Sequence, residues 1–122
     1  MKRLFVYGSL MQGQPNHTAM EDAQLVGAAA TVVGFSLFDL GAYPAMAASP
    51  EGVVLGEVYL VSEAQQARLD RLEGHPRYYT RTPLQLEGAG PAEAYLMPSE
   101  RVPLRRQIAS GDWRSSRKER GL

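Results

Sequence analysis

One stretch of this 122-residue chain specifies both ends of an α-helix in its own residues, while most of what surrounds it reads as strand or turn. Ser62 and Gln65 form the S-x-x-Q version of a capping box, in which the serine hydroxyl takes a backbone N–H and the glutamine side chain reaches back to the cap. Glu63 stands favourably at the positive N-terminal pole, and Ala64, Gln65, Gln66, Ala67 and Arg68 are good helix formers. Gly74 supplies a left-handed stop and Pro76 blocks resumption, so the sequence predicts one principal helix over 63–72.

The remaining periodic segments are strand-like. Residues 4–7 are apolar, β-branched and aromatic and stop at Gly8, which reads as a buried strand entering a tight loop. Asn16 can cap a short helix over 17–23. Residues 25–40, with interior Gly27 and Gly34, read as one bent strand or two successive ones. The segment 41–52 reads as an irregular crossing, and 53–61 returns to strand, with Gly56 marking a bulge or a close backbone approach. Residues 79–86 and 92–97 form a hairpin pattern around a loop of about five residues, and 108–113 is a short closing segment. That many strands with one helix to cover them must curl. The expected fold class is α+β: a small bent or closed mixed β-barrel with one principal helix and short flanking helices, a single domain over 1–113 followed by a charged C-terminal tail over 114–122.

Composition narrows the function classes. The formal net charge is zero, which gives no long-range attraction for nucleic acid or anionic lipid, and Arg114, Arg117 and Arg120 read as part of a frayed, solvated end. No stretch approaches the ~20 apolar residues of a membrane span, and the N-terminus runs directly into a strand. Cysteine is absent, which excludes disulfides, thiolate metal sites and cysteine nucleophiles and fits a cytoplasmic setting. His17 and His75 lie far apart, so a metal site built from imidazole is not expected. No P-loop or G-x-G-x-x-G fingerprint is present, and no cofactor is expected.

Two features carry candidate chemistry. Glu73 falls on the last turn of the predicted helix, at its negative pole, where a carboxylate is disfavoured. That placement, together with any burial, would raise its pKa toward the range of a proton carrier; the same position also suits an ordinary solvated glutamate. Asp70, three residues earlier, is read as a neighbour in charge only. Tyr7-Gly8-Ser9-Leu10 is the second feature, a sharp turn whose consecutive amides can hold a carboxylate or an oxyanion, or else a plain strand-to-turn junction. Ser9 lacks the G-x-S-x-G elbow of a nucleophile. Tyr43-Pro44 is either a rigid turn or one wall of a pocket.

Taken together, Tyr7-Gly8-Ser9-Leu10 with Gly13 to His17, Gly56-Glu57-Val58-Tyr59, and Leu69-Asp70-Arg71-Leu72-Glu73 with Tyr79, Arg81 and Thr82 resemble, in order, the motifs of the gamma-glutamylcyclotransferase-like family, and closest its gamma-glutamylamine cyclotransferase branch. The resemblance implies a small barrel with flanking helices and release of 5-oxoproline from a small gamma-glutamyl substrate. It also implies that Glu73 is the catalytic acid–base group and that Tyr7, Gly8, Ser9 and Leu10 hold the glutamyl end, with Tyr79 as a neighbour. A binding protein for a gamma-glutamyl or 5-oxoproline ligand, without turnover, is the alternative. Gly111-Asp112-Trp113 resembles a tail motif of bacterial members and has no role assigned by sequence.

Overall fold

The computed structural model describes residues 1–119. In chain order the elements are β1 (Lys2–Val6), β2 (Gln24–Ala30), β3 (Phe35–Asp39), β4 (Pro44–Ala48), β5 (Leu55–Val61), α1 (Glu63–Glu73), β6 (Thr80–Leu86), β7 (Gly90–Leu96), β8 (Gln107–Ile108) and α2 (Trp113–Glu119). The strands form one mixed, curled sheet, a half-barrel with two helices, in which β5 lies between β2 and β1 and β7 pairs with β6, β1 and β4. At one edge the curl meets itself, because Thr31, just past β2, bridges Leu86 at the end of β6. Among the described residues no helix is long and apolar enough to cross a membrane.

Strand β7 is the hub. β6 runs antiparallel along one of its edges from Thr80–Leu96 to Leu86–Gly90. A strand has only two edges, so β1 and β4 share the other in succession, β1 at Leu4–Glu93 and β4 at Met46–Leu96, both parallel to β7. The sheet therefore forks where β1 ends. Parallel pairing is normally buried on both faces, and these strands are: Leu4, Phe5, Ala45, Met46, Ala47 and Ala94 are fully buried in one apolar cluster.

Helix α1 begins and ends as its sequence dictates. Ser62 Oγ accepts from Gln65 N at 3.1 Å while Gln65 Oε1 accepts from Ser62 N at 2.7 Å. Gly74 adopts φ 68°, and the N–H groups of Gly74 and His75 return to the carbonyls of Arg71 and Asp70, which is the Schellman arrangement. The helix reaches Glu73, one residue beyond the expectation.

Four other expectations change. The short helix is a single 3-10 turn over His17–Met20, and Asn16 does not cap it: its side-chain amide donates instead to Ser9 Oγ at 3.1 Å. The hairpin loop between β6 and β7 is three residues long, 87–89, and not about five, whereas residues 25–40 divide into β2 and β3, one of the two alternatives open in the sequence. The supposedly irregular crossing contains β4, whose Pro-Ala-Met-Ala-Ala sequence has little strand propensity and is held by pairing with β3 and β7. Proline is tolerated there as the first residue of the strand. Finally, residues 113–119, with Arg114 and Arg117, are helical rather than frayed, and Arg120 lies outside the described residues. Asp112 caps α2, accepting from Arg114 N at 3.1 Å and Ser115 Oγ at 2.8 Å, and Trp113 enters the core at 1% exposure.

Trp113 thus joins the end of the chain to the core. Replacing it with alanine should cost roughly 3–5 kcal/mol. Urea denaturation of Trp113→Ala checks this, and a loss below about 1 kcal/mol would mean that α2 is dispensable to the core.

Candidate active site

The fork between β1 and β4 opens a cavity of about 270 Å³. Its walls come from the β1 end and following loop (Phe5 to Leu10), Asn16, the β4 entry (Tyr43, Pro44), the α1 end (Leu72, Glu73), Tyr78, Tyr79 and Tyr95 of β7. All six residues singled out as site candidates, Tyr7, Gly8, Ser9, Leu10, Glu73 and Tyr79, line this one cavity. Tyr43, Pro44, Tyr78 and Tyr95 complete it. Tyr43-Pro44 is a wall, one of the two alternatives open in the sequence. Tyr95 was missed because it lies within a strand, β7, where an aromatic is ordinary.

The loop is fastened from several sides. The Tyr7 hydroxyl donates to the Tyr95 carbonyl at 2.6 Å and accepts from Met46 N at 3.4 Å, filling the crotch of the fork. Gln12 N donates to Glu57 Oε1 at 3.0 Å, and the Leu10 carbonyl lies 2.9 Å from His17 Nδ1. Asn16 N donates to the Ser9 carbonyl at 2.9 Å. Among the described residues no acceptor takes the N–H of Gly8, Ser9 or Leu10, leaving three consecutive amides for a ligand.

Glycine at position 8 is required by space. A Cβ there would lie 2.4 Å from Cγ and 2.7 Å from Cδ of Pro44, so the loop and the β4 entry touch backbone to ring. The Pro44 carbonyl in turn accepts from the Tyr79 hydroxyl at 2.8 Å. Gly56, in the second motif, is a close approach of the same kind, with its Cβ position 2.2 Å from the Val6 carbonyl oxygen. The next motif residue, Glu57, is buried and holds Gln12 N, Tyr59 OH at 3.1 Å and Arg114 at 3.0 Å. Burial opposes its ionisation, but the Gln12 amide and the Arg114 guanidinium together keep its pKa below the ordinary value. Glu57 thereby ties the loop to α2.

The two carboxylates near the end of α1 have opposite surroundings. Asp70 accepts from the Tyr95 hydroxyl at 2.7 Å and pairs with Arg81, and these contacts outweigh its burial and hold its pKa down. Gln66 Nε2 donates to the Tyr95 hydroxyl at 2.7 Å, closing the network. Asp70 is more than a neighbour in charge, because it fixes the side chain of a cavity wall. Glu73 has no cation or donor on its carboxylate among the described residues, and burial pushes its pKa up to about 7. Burial also raises the pKa values of Tyr7, Tyr79 and Tyr95, with the charge of Glu73 adding to each. At neutral pH these phenols are uncharged donors. Among the described residues no three His, Cys, Asp or Glu side chains converge as a metal site requires.

A half-barrel of this topology, forked over a cavity that faces one uncompensated glutamate, places the chain in a class that the comparisons define. The family model described as gamma-glutamyl cyclotransferase, AIG2-like, matches residues 4–115, and the chain belongs to that family. It is 42% identical over 110 residues to a putative gamma-glutamylcyclotransferase of Vibrio cholerae, covering 90% of this chain and 93% of that one. It is 41% identical over 104 residues to the gamma-glutamylaminecyclotransferase of Rattus norvegicus, covering 74% and 70% of the two chains. Among solved structures it superposes on an uncharacterized protein of Pyrococcus horikoshii with a TM-score of 0.83, 25% identity and 99% and 97% coverage. A mouse AIG2-like protein gives a TM-score of 0.77 at 30% identity, with 93% and 88% coverage.

Two measurements test the site's construction. Gly8→Ala should displace Pro44 and cost roughly 1–3 kcal/mol in denaturant titration. Ionising Glu73 costs more in the folded than in the unfolded chain, so its contribution to stability is complete below about pH 4.5 and is lost as pH rises through about 7. Glu73→Gln should therefore melt like the parent at pH 4 and gain roughly 2 kcal/mol over it at pH 8, a figure discounted for partial exposure. An equal gain at both pH values would contradict the buried-carboxylate account.

Proposed function

We propose that the protein cyclises a gamma-glutamyl amide, releasing 5-oxoproline and a free amine, with Glu73 as the acid–base group. The observation that carries this reading is the shared cavity, in which a carboxylate without a countercharge faces a loop of three unpaired amides. In such a substrate the α-amine can reach the γ-carbonyl carbon and close a five-membered ring, so no enzyme nucleophile is needed. The amine arrives as an ammonium. Ionised Glu73 takes one of its protons, the freed nitrogen forms the new C–N bond, and the carbonyl becomes a tetrahedral oxyanion. The protonated Glu73 then gives its proton to the departing nitrogen as the old C–N bond breaks, and the ring nitrogen gives up its second proton to the released amine, directly or through solvent, so that the products are neutral-lactam 5-oxoproline and an ammonium. A carboxyl with a pKa of about 7 suits both directions of transfer near neutral pH.

The loop amides have two uses in this scheme, either gripping the substrate α-carboxylate or stabilising the oxyanion. The neutral phenols of Tyr7, Tyr79 and Tyr95 keep the cavity free of a cation that would hold Glu73 permanently ionised. Confinement of the flexible glutamyl chain near its cyclising shape adds a proximity contribution.

Glu73→Gln should lower 5-oxoproline formation at least about 100-fold, the lower end of general acid–base contributions, while the protein remains folded. The parent's kcat/KM should rise with pH through an acid limb near 7. Retained turnover in the folded variant would remove Glu73 from the chemistry. Thermal stabilisation of the parent by gamma-glutamyl compounds without any product would favour the binding-protein alternative.

A further inference from the structure

The cavity has a closed end and an open one, and they differ in character. Tyr7, Leu10 and Tyr79 are buried, whereas Tyr43, Leu72 and Tyr78 are 38%, 53% and 41% exposed. The volume, about 270 Å³, falls below the ~300 Å³ lower end of usual small-ligand pockets. A gamma-glutamyl group gripped by the loop occupies the closed end, so the leaving amine must lie across the exposed rim. The rim is built as a bridge, with the Tyr43 and Tyr78 hydroxyls 3.1 Å apart.

The charge beside this rim has the opposite sign to that inside. Among the described residues that line the cavity, Glu73 is the one charged side chain. Outside it, Arg101 lies against the rim loop, its Nη2 donating to the carbonyls of Arg77 at 3.0 Å and Tyr78 at 3.2 Å. The Tyr78 phenol, which its hydrogen bond with Tyr43 makes harder to ionise, also feels the positive charge of Arg101. Those two carbonyls occupy one nitrogen of the guanidinium, and among the described residues its remaining donors make no hydrogen bond or ion pair. We propose that Arg101 is a specificity-determining residue that selects substrates whose leaving amine carries an anionic group, and disfavours those with a neutral or cationic one. This rests on the cyclotransferase reading, because it assigns the rim to the leaving group.

The test compares three substrates with the same five-carbon leaving chain: gamma-glutamyl-norleucine (carboxylate), gamma-glutamyl-pentylamine (neutral) and gamma-glutamyl-cadaverine (cation). Each is assayed for 5-oxoproline with the parent, Arg101→Gln and Arg101→Lys, at low and high salt. The parent should prefer the carboxylate over the neutral amide by about two- to fivefold in kcat/KM, as expected of a solvent-exposed charge pair, with the difference in KM and the cation poorest. Arg101→Gln should level the series without changing kcat for the pentylamide, Arg101→Lys should keep the order, and salt should compress it. An unchanged preference in Arg101→Gln, or an equal loss for all three substrates, overturns the proposal, the latter assigning Arg101 to bracing the 77–78 loop. No product from any substrate overturns the cyclotransferase reading itself. Calorimetric titration of the three amides then decides the anion preference separately, equal affinities being the result that rejects it.

Discussion

The structure depends on one hydroxyl placed where the sheet forks. β7 cannot give the same stretch of edge to both β1 and β4, so the sheet must part where one hands over to the other. At that point β4 takes up its pairing with β7, and the Tyr7 hydroxyl lies against that pairing, donating to the Tyr95 carbonyl and accepting from the Met46 N–H. A buried phenol left unpaired would cost about as much as a lost hydrogen bond, and these two backbone groups satisfy it. Because Tyr7 follows the last residue of β1, this anchoring also leads the chain into the turn at Gly8. The same residue that braces the fork lines the cavity.

The loop beyond that turn is held by ties distant in sequence. Glu57 reaches it from β5 and Arg114 from α2, so the second motif and the C-terminal segment serve a loop that neither adjoins. Gly111-Asp112-Trp113 has the same logic: a turn, a helix cap and a buried indole that together deliver Arg114 to Glu57. A loop built to present bare amides cannot satisfy itself, and its rigidity must be imported from packed elements.

Electrostatically the site rests on a contrast within one helix turn. Asp70 is neutralised by Arg81 and spends its remaining capacity on Tyr95. Glu73 is left without compensation among the described residues, inside a cavity walled by uncharged phenols. The first is a structural anion and the second a titrating one, although the residues are three apart and chemically alike. Neighbours, and not residue type, divide the roles.

How much of this was legible beforehand follows from the range of the interactions involved. The caps of α1 lie within thirteen residues of one another, and the Ser62, Gln65 and Gly74 contacts are local, so the sequence determined that helix and the position of Glu73 at its end. The strand after Met1 and the turn at Gly8 were equally local. β4 was not legible, because Pro-Ala-Met-Ala-Ala becomes a strand only when β3 and β7 supply its partners. α2 was missed for a related reason: its charged face resembles a solvated tail until Trp113 finds the core and Arg114 finds Glu57. Gly8 could be read as a turn, but that its missing Cβ makes room for Pro44 required the fold. The pKa of Glu73 was likewise a tertiary decision, since sequence fixes where a carboxylate stands on a helix while only packing decides whether water and countercharge can reach it.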